Sequence, residues 1–227
     1  MVDGSASSAV SAAGGRFGEP PLQQTVAAAG AMRRLAGQLL ALEHPNPVVD
    51  EMLARFADWE RRLGADAPLE ATPRLEDGGR NGRVYLNHAF DVGAFNPCFP
   101  EYRFEQLDAE TASGRVTFDL VFEGPPGLVH GGFLGVFFDC VTQHQSCAAG
   151  LAGRTRSLLV TYRRPTPILT ELDFDITRAQ AERGIVSTAR LLHDGEVLCT
   201  GEVATASMPP EKVSANRFGR RSEEPRR

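Results

Sequence analysis

One stretch constrains the fold more than any other. It begins at Gly131 and reads GGFLGVFFDCVTQHQSCAAGLAG. Apolar and small residues occupy nearly every side of a helix drawn from it, which predicts a helix buried against other elements. Asp139 interrupts this apolar surface. Because an isolated buried carboxylate is costly, its position indicates that the acid has a structural or chemical task there.

Strand-like segments flank this helix on both sides. Before it lie YRFEQLDAE and GRVTFDLVFEG, with a turn expected near Ala112 to Gly114. After it come TRSLLVTYRRPTPI, two strands separated by a turn at Glu182 to Gly184, and EVLCTGEVATASM after the turn HDGE. This order predicts an α+β fold, an antiparallel sheet wrapped around one long buried helix. The helix surface left uncovered requires a second subunit or the N-terminal part of the chain.

The 227-residue chain divides by composition. Residues 1–20 are rich in Ala, Ser and Gly and are predicted to be disordered. Residues 21–64 carry apolar stripes at helical spacing and are predicted to form a two-helix N-terminal extension; the second stripe contains Val48, Met52, Phe56 and Trp59. Residues 65–82 hold the turn formers of a linker. Residues 83–209 form the sheet-and-helix domain, and residues 210–227 a disordered tail.

Composition argues against several classes of function. The net charge of −5 is not that of a general nucleic-acid-binding protein. No stretch is long and apolar enough for a membrane span, and the N-terminus lacks the features of a signal peptide, so a cytoplasmic location is expected. The four cysteines show no CxxC spacing and are predicted to be small core residues.

Several motifs together carry a resemblance to a known family. HGG at residues 130–132 is followed by Asp139, nine residues after the His; SLLVTYRRPTP comes after the helix, and DGEVLCTGEVATA ends the domain. In these features residues 84–208 resemble hotdog-fold acyl-CoA thioesterases of the PaaI-like and THEM types. The resemblance implies a hotdog fold and an acyl-CoA substrate, with no cofactor besides the coenzyme A of that substrate. It also implies a homodimer or a dimer of dimers.

The same resemblance implies roles for residues around the start of the helix. The N–H group of Gly131 polarises the thioester carbonyl, and Asp139 of the partner subunit acts as general base on water or as nucleophile. Thr155 matches a Ser or Thr that orients the water or the acid. The residues themselves agree, because Gly131 and Gly132 allow a substrate to approach N–H groups at the positive end of the helix dipole. His130 is either catalytic or fixes the start of the helix through hydrogen bonds.

Four more residues are candidates for substrate binding. Arg163 and Arg164 end the strand that follows the helix and suit the phosphates of coenzyme A, although an exposed charged strand edge is the alternative. Gln143 and His144 are unusual polar choices in an apolar helix. They either line the pocket and favour an unusual acyl group, or signal lost activity.

Other functions fit some of the same residues. A hotdog protein could bind acyl-CoA or a lipid without catalysis. Enoyl-CoA hydratases usually bring an Asp-x-x-x-x-His arrangement, and Asp139 and His144 have that spacing, but within the helix and after HGG. Cys140, His144 and Cys147 share one helical face, yet no second cluster supplies a fourth ligand, so no metal site is expected. The chain also departs from the PaaI-like pattern, with Gly124 where many members have Asn.

Overall fold

The structure, a computed structural model, describes residues 21–67, 70–74, 82–84, 88–149, 153–181 and 184–207. The predictions of disorder for residues 1–20 and 210–227 fall outside this part of the chain. Two helices come first, α1 (Gln23–Leu40) and α2 (Pro47–Asp66). The side chain of Asn46 caps α2 by accepting a hydrogen bond from the N–H of Val48, and proline occupies the first helical position.

Helix α1 is fixed to the domain by Arg33, whose side chain is buried. Its guanidinium donates to the carbonyl oxygen of Gly93 at 2.7 Å and pairs with the carboxylate of Glu101 at 2.7 Å. A buried guanidinium is stable only when its donors are satisfied, so these bonds hold α1 in one place. Helix α2, by contrast, buries none of its residues within the described part of the chain.

Three short elements follow the extension. Strands β1 (Glu70–Arg74) and β2 (Gly82–Val84) form a parallel pair, and β1 lies within the predicted linker of residues 65–82. Helix α3 (His88–Phe95) has a kink at Asp91, whose carboxylate accepts from the N–H of Ala94 and so caps the second half of the helix.

The domain is a six-stranded antiparallel sheet packed on one long helix, α4 (Gly131–Ala148). The strands follow the spatial order β3-β4-β6-β7-β8-β5, so that β3 and β5 form the edges. Their bounds are Tyr102–Leu107 (β3), Thr111–Thr117 (β4), Gly153–Tyr162 (β5), Glu171–Ala181 (β6), Gly184–His193 (β7) and Glu196–Ser207 (β8). The predicted α+β layout and the order of two strands, helix and four strands are confirmed.

The turn between β3 and β4 lies at residues 108–110, so the prediction of a turn near Ala112 to Gly114 is wrong. Gly114 is a strand residue of β4 at which the neighbouring strands β3 and β6 come very close. A Cβ atom there would lie 2.1 Å from the carbonyl oxygen of Arg103 and 2.7 Å from the ring of Phe174. The glycine therefore serves close packing within the sheet, a role that glycine has in strands as well as in turns.

The core lies between α4 and the concave face of the sheet and is unusually rich in phenylalanine. Phe137 and Phe138 of α4 are fully buried. The ring of Phe137 meets those of Phe118 and Phe174 edge to face, at centroid distances of 5.6 and 5.4 Å. Such contacts favour one arrangement of the rings and fix the rotation of α4 on the sheet. That rotation decides which residues of α4 face outward.

Gly201 of β8 sets how closely α4 approaches the sheet. A Cβ atom at this position would lie 2.4 Å from the ring of Phe138. We expect Gly201→Ala to lower the free energy of unfolding by about 1–3 kcal/mol, because the overpacked helix must shift. Gly64→Ala is the matched control, since a Cβ atom there meets nothing within 4 Å. Chemical denaturation of both variants checks this, and equal stability of the two would contradict the packing argument.

Candidate active site

One face of α4 lies along the edge strand β5. The residues of this face recur at every fourth position of the helix, and each meets a residue of the strand. On the helix they are Gly131, Gly135, Asp139 and Gln143. On the strand their partners, in the same order, are Tyr162, Leu158, Thr155 and Gly153. Helix and strand therefore run antiparallel, and three of the predicted site residues, Asp139, Thr155 and Gln143, lie along one line.

Asp139 is held by Thr155. The Thr155 hydroxyl donates to Oδ1 of Asp139 at 2.6 Å. The carboxylate is half-buried, and the hydroxyl lies on the exposed edge strand. A hydrogen bond of this length to a carboxylate is charge-assisted and strong, so it fixes the orientation of the acid. The structure thus brings together two predicted site residues that are 16 positions apart.

The N-terminus of α4 leaves one backbone donor for a ligand. The N–H of Gly132 donates to Nδ1 of His130 at 3.1 Å, and the N–H of Phe133 donates to the carbonyl oxygen of His130 at 2.9 Å. For the N–H of Gly131 there is no acceptor among the described residues. It is therefore the first-turn donor available at the positive end of the helix dipole.

His130 has a structural part in this arrangement. Its side chain caps α4 through the bond to Gly132. Its ring also packs edge to face on Phe133, at a centroid distance of 6.1 Å. This contact corresponds to the interpretation in which His130 fixes the start of the helix through a hydrogen bond.

Tyr162 belongs to the site, although the sequence analysis did not single it out. Its hydroxyl donates to the carbonyl oxygen of Gly131 at 2.9 Å. A Cβ atom on Gly131 would lie 3.0 Å from that hydroxyl oxygen, so glycine leaves room for the contact. The sequence does contain a hint of this position, because Tyr162 stands in the run TYRRPTP directly before two arginines that are expected to reach the substrate.

A groove of about 400 Å³ opens beside the N-terminus of α4. Arg163 and Arg164 line it together with Gly131 and Tyr162, and its apolar wall is formed by Pro125, Leu128, Val129 and Leu134. Arg164 also pairs with Glu196 at 2.7 Å, and both side chains are exposed. The structure therefore places the two predicted arginines next to the predicted carbonyl-binding glycine.

His144 lies on a different face of α4. Its Nδ1 is 3.0 Å from the hydroxyl of Tyr102, and its ring meets Phe104 edge to face at 4.9 Å. Burial lowers the pKa of His144 to about 4. Five residues correspond to about 140° around a helix, so His144 and Asp139 do not share a face. The geometry therefore does not assemble the Asp and His pair that a hydratase of this type would need.

The burial of His144 predicts a pH dependence of stability. Its pKa falls from 6.5 in the unfolded chain to about 4 in the folded one, so between these values the unfolded chain binds more protons. Its contribution to stability is therefore present above pH 6.5 and is lost as the pH falls towards 4. We expect the denaturation midpoint of wild type to drop more steeply over this range than that of His144→Gln. Parallel pH profiles would contradict the assignment.

The cysteines of α4 are partly buried thiols, whereas Cys98 is exposed, so the prediction of core cysteines is wrong for Cys98. Desolvation raises the pKa of Cys140 to about 12 and that of Cys147 to about 11. A metal would need the thiolate form, which this environment disfavours. Over the described ranges of the chain, no three metal-ligating side chains converge.

The hydrogen bond between Thr155 and Asp139 predicts the effect of replacing Thr155 at the candidate site. In the thioester hydrolysis that the sequence predicts, we expect Thr155→Val to lower kcat about 10-fold through the loss of one oriented hydrogen bond to a charged group. Thr155→Ser keeps the hydroxyl and should retain most of the turnover. A valine variant as active as the serine variant would show that this bond does not orient the acid.

Comparison with one solved structure supports the architecture. A solved structure described as a thioesterase superfamily protein is 26% identical, with a TM-score of 0.63, over 82% of this chain and 97% of its own. A hypothetical thioesterase with coenzyme A from Streptococcus pneumoniae TIGR4 is 16% identical over 48% of this chain and 87% of its own (TM-score 0.45). The PaaI protein of E. coli is 14% identical over 46% of this chain and 82% of its own (TM-score 0.43). No family model and no curated protein matches the chain.

The antiparallel sheet wrapped around α4, with the site at the helix N-terminus and along β5, is a hotdog domain. The chain has the fold of the thioesterase superfamily, and the resemblance inferred from HGG, Asp139 and the strand motifs is confirmed. Among the described helices, none is long and apolar enough to cross a membrane.

Proposed function

We propose that the protein hydrolyses acyl-CoA thioesters to a free acid and coenzyme A. The observation that carries the proposal is the carboxylate of Asp139, fixed by Thr155 at 2.6 Å on a half-buried face of α4. Burying a carboxylate in an apolar helix is costly, so its presence indicates a chemical role. Activation of water or nucleophilic attack is such a role. The 26% identity with a thioesterase superfamily protein supports the same function.

The thioester carbonyl binds at the N-terminus of α4. Its oxygen accepts a hydrogen bond from the N–H of Gly131, which has no acceptor among the described residues. Negative charge develops on this oxygen when the carbonyl carbon becomes tetrahedral, and the fixed donor and helix dipole stabilise that charge. Tyr162 positions the peptide by its bond to the Gly131 carbonyl oxygen, at 2.9 Å.

Asp139 then acts in one of two ways. As general base it takes a proton from water, the hydroxide oxygen bonds to the carbonyl carbon, and the carbon–sulfur bond breaks to release the thiolate of coenzyme A. As nucleophile its carboxylate oxygen bonds to the carbonyl carbon, the thiolate leaves, and water hydrolyses the resulting anhydride. Oδ1 is engaged by Thr155, so the other carboxylate oxygen is the reacting atom in both routes.

The acid and the carbonyl donor come from two protomers of a homodimer. Asp139 lies eight positions after Gly131, which is about 12 Å along one helix. A thioester carbonyl held at one helix start is therefore out of reach of the acid in the same helix. Strand β5 is an edge of the sheet and exposes Leu158 and Leu159. Pairing of two such edges brings the helices of two protomers side by side.

The two ends of the substrate meet different residues. Arg163 and Arg164 line the groove beside Gly131 and bind the phosphates of coenzyme A. Gln143 lies one turn beyond Asp139 on the same helical face, on the acyl side of the reacting carbon. Its Nε2 is engaged by the carbonyl oxygen of Gly153 at 3.3 Å, whereas its Oε1 is buried without a partner among the described residues. His144 is left out of this substrate path by its bond to Tyr102.

The test is the release of free coenzyme A from a panel of acyl-CoAs, short to long and aryl. We expect saturable release from at least one of them. The acyl group that is hydrolysed best indicates the class of the substrate. Thermal stabilisation by an acyl-CoA without any release would contradict hydrolysis. That outcome would favour an acyl-CoA-binding protein with the same fold.

A further inference from the structure

The apolar face of α2 has no cover within the described chain. Three of its side chains are exposed, with Phe56 at 39%, Trp59 at 46% and Leu63 at 72% of their full accessible area, whereas Val49 and Met52 are half-buried. Phe56 and Trp59 contact each other, with ring centroids 5.8 Å apart. A contiguous aromatic and aliphatic stripe, flanked by the exposed Val48 and Leu53, marks an interaction surface.

Helix α2 does not fold back on α1 to bury this stripe, and none of its residues is buried within the described part of the chain. Helix α1 is fixed by the buried Arg33, and only residues 41–46 separate it from α2. This connection contains Pro45, and Pro47 opens the next helix, which stiffens the approach. The stripe is thus presented outward by an anchored element, as a surface for another molecule.

We propose that α2 packs in parallel against α2 of a second copy of this chain. The apolar residues recur at alternating spacings of three and four, as in helices that pair lengthwise. They are Val49, Met52, Phe56, Trp59 and Leu63. A two-fold axis parallel to the helices places each of these side chains against its own copy, because such an interface uses the same patch on both subunits.

The charges beside the stripe match this arrangement. Arg55 and Glu60 flank it on opposite sides, five positions apart, the offset at which parallel helix pairs form ion pairs between chains. Neither residue has an ion pair within the described residues. Asp58, farther from the stripe, is already paired with Arg61 and Arg62 of its own helix. Parallel pairing thus gives Arg55 an acidic partner in the other copy, whereas an antiparallel pair would align arginines.

The inference rests on the homodimer of the proposed function. The stripe covers only about two heptads, too short to associate by itself, so a second contact between the copies must support it. The solved thioesterase superfamily protein matches 82% of this chain. Residues 83–209 alone make up a smaller fraction of the chain, so the match includes part of the residues that precede the hotdog domain.

Trp59 is the only tryptophan of the chain and reports on the stripe directly. At a concentration where sedimentation shows a dimer, we expect blue-shifted emission and protection from acrylamide quenching. In Phe56→Glu/Leu63→Glu the emission should shift to the red and quenching should rise several-fold. The matched control is Arg61→Glu, on the far side of the helix, which should keep the protected emission. A fully quenchable Trp59 in the wild-type dimer would overturn the proposal, as would a protected Trp59 in the monomer.

Disulfide trapping tests the parallel register. In a Cys98→Ser background, which removes the exposed native thiol, Met52→Cys should give a covalent dimer under mild oxidation. Arg61→Cys, which points away from the two-fold axis, should give far less. Equal trapping at both positions, or none at position 52, would overturn the pairing. Coenzyme A release is measured on the same wild-type samples. A protected Trp59 without any turnover counts against the proposed function but not against the helix pair. An exposed Trp59 with intact turnover counts against the helix pair alone.

Discussion

Asp139→Asn is expected to reduce turnover of the preferred acyl-CoA by about 100- to 10,000-fold, the usual contribution of a positioned general base. The amide has nearly the same shape and can still accept a hydrogen bond from Thr155 through its oxygen. It cannot take a proton from water, and it is a poor nucleophile. Because Arg163, Arg164 and the Gly131 N–H are unchanged, binding of the acyl-CoA should persist. The measurements are kcat from coenzyme A release and Kd from calorimetry.

Asp173→Asn is the matched control for this variant. Asp173 lies on the exposed face of β6, in a surface cluster with Arg115 at 3.5 Å. Surface ion pairs of this kind contribute little, so turnover and stability should both stay close to wild type. Equal turnover in the two variants would mean that Asp139 is not the reacting acid.

Phe137→Ala is expected to lower the free energy of unfolding by about 3–5 kcal/mol, because it opens a cavity in a closely packed core. The ring is fully buried and contacts Tyr102, Phe118, Phe138 and Phe174. The melting temperature should fall by roughly 10 °C for a chain of this size. The rotation of α4 also depends on these contacts, so activity should decline at temperatures where the variant is still folded.

Leu40→Ala serves as the comparison for the core variant. Leu40 lies at the end of α1 with an exposed side chain. A surface truncation of this kind changes stability by about 0.5 kcal/mol or less. Two equal losses in chemical denaturation would show that the α4 core is not the main source of stability.

The fold could be predicted from the sequence because the apolar run of α4 and the periodicity of the strands indicate the type and order of the elements. The order of elements and the strand limits around residues 181–184 agree with the structure. The turn before β4 was misplaced because glycine marks both turns and close strand contacts. Gly114 has the second role, imposed by Phe174 across the sheet, and no local pattern distinguishes the two.

The site could be predicted only in part. The family resemblance implied that Thr155 orients the acid, and the two side chains do meet in the structure. The arginines were predicted as phosphate ligands from their residue type, whereas their position beside Gly131 depends on the fold. The role of Tyr162 could not be predicted, because it depends on the antiparallel course of β5 along α4. His144 has a polar side chain in a predicted pocket-lining position, yet it faces Tyr102, since the rotation of the helix is set by the phenylalanine core.

Subunit complementation tests most directly whether the acid of one protomer acts on a thioester held by the other. Gly131→Pro removes the N–H donor and fits the first helical position, and the extended backbone of His130 (ψ 129°) suits a residue before proline. Gly131→Ala, which keeps the N–H, is its control. Each of Gly131→Pro and Asp139→Asn alone should be nearly inactive. Refolded together in equal amounts, they should recover about a quarter of wild-type turnover, since half of the dimers then carry one intact site. No recovery, with mixed dimers present, would contradict a site shared between two protomers.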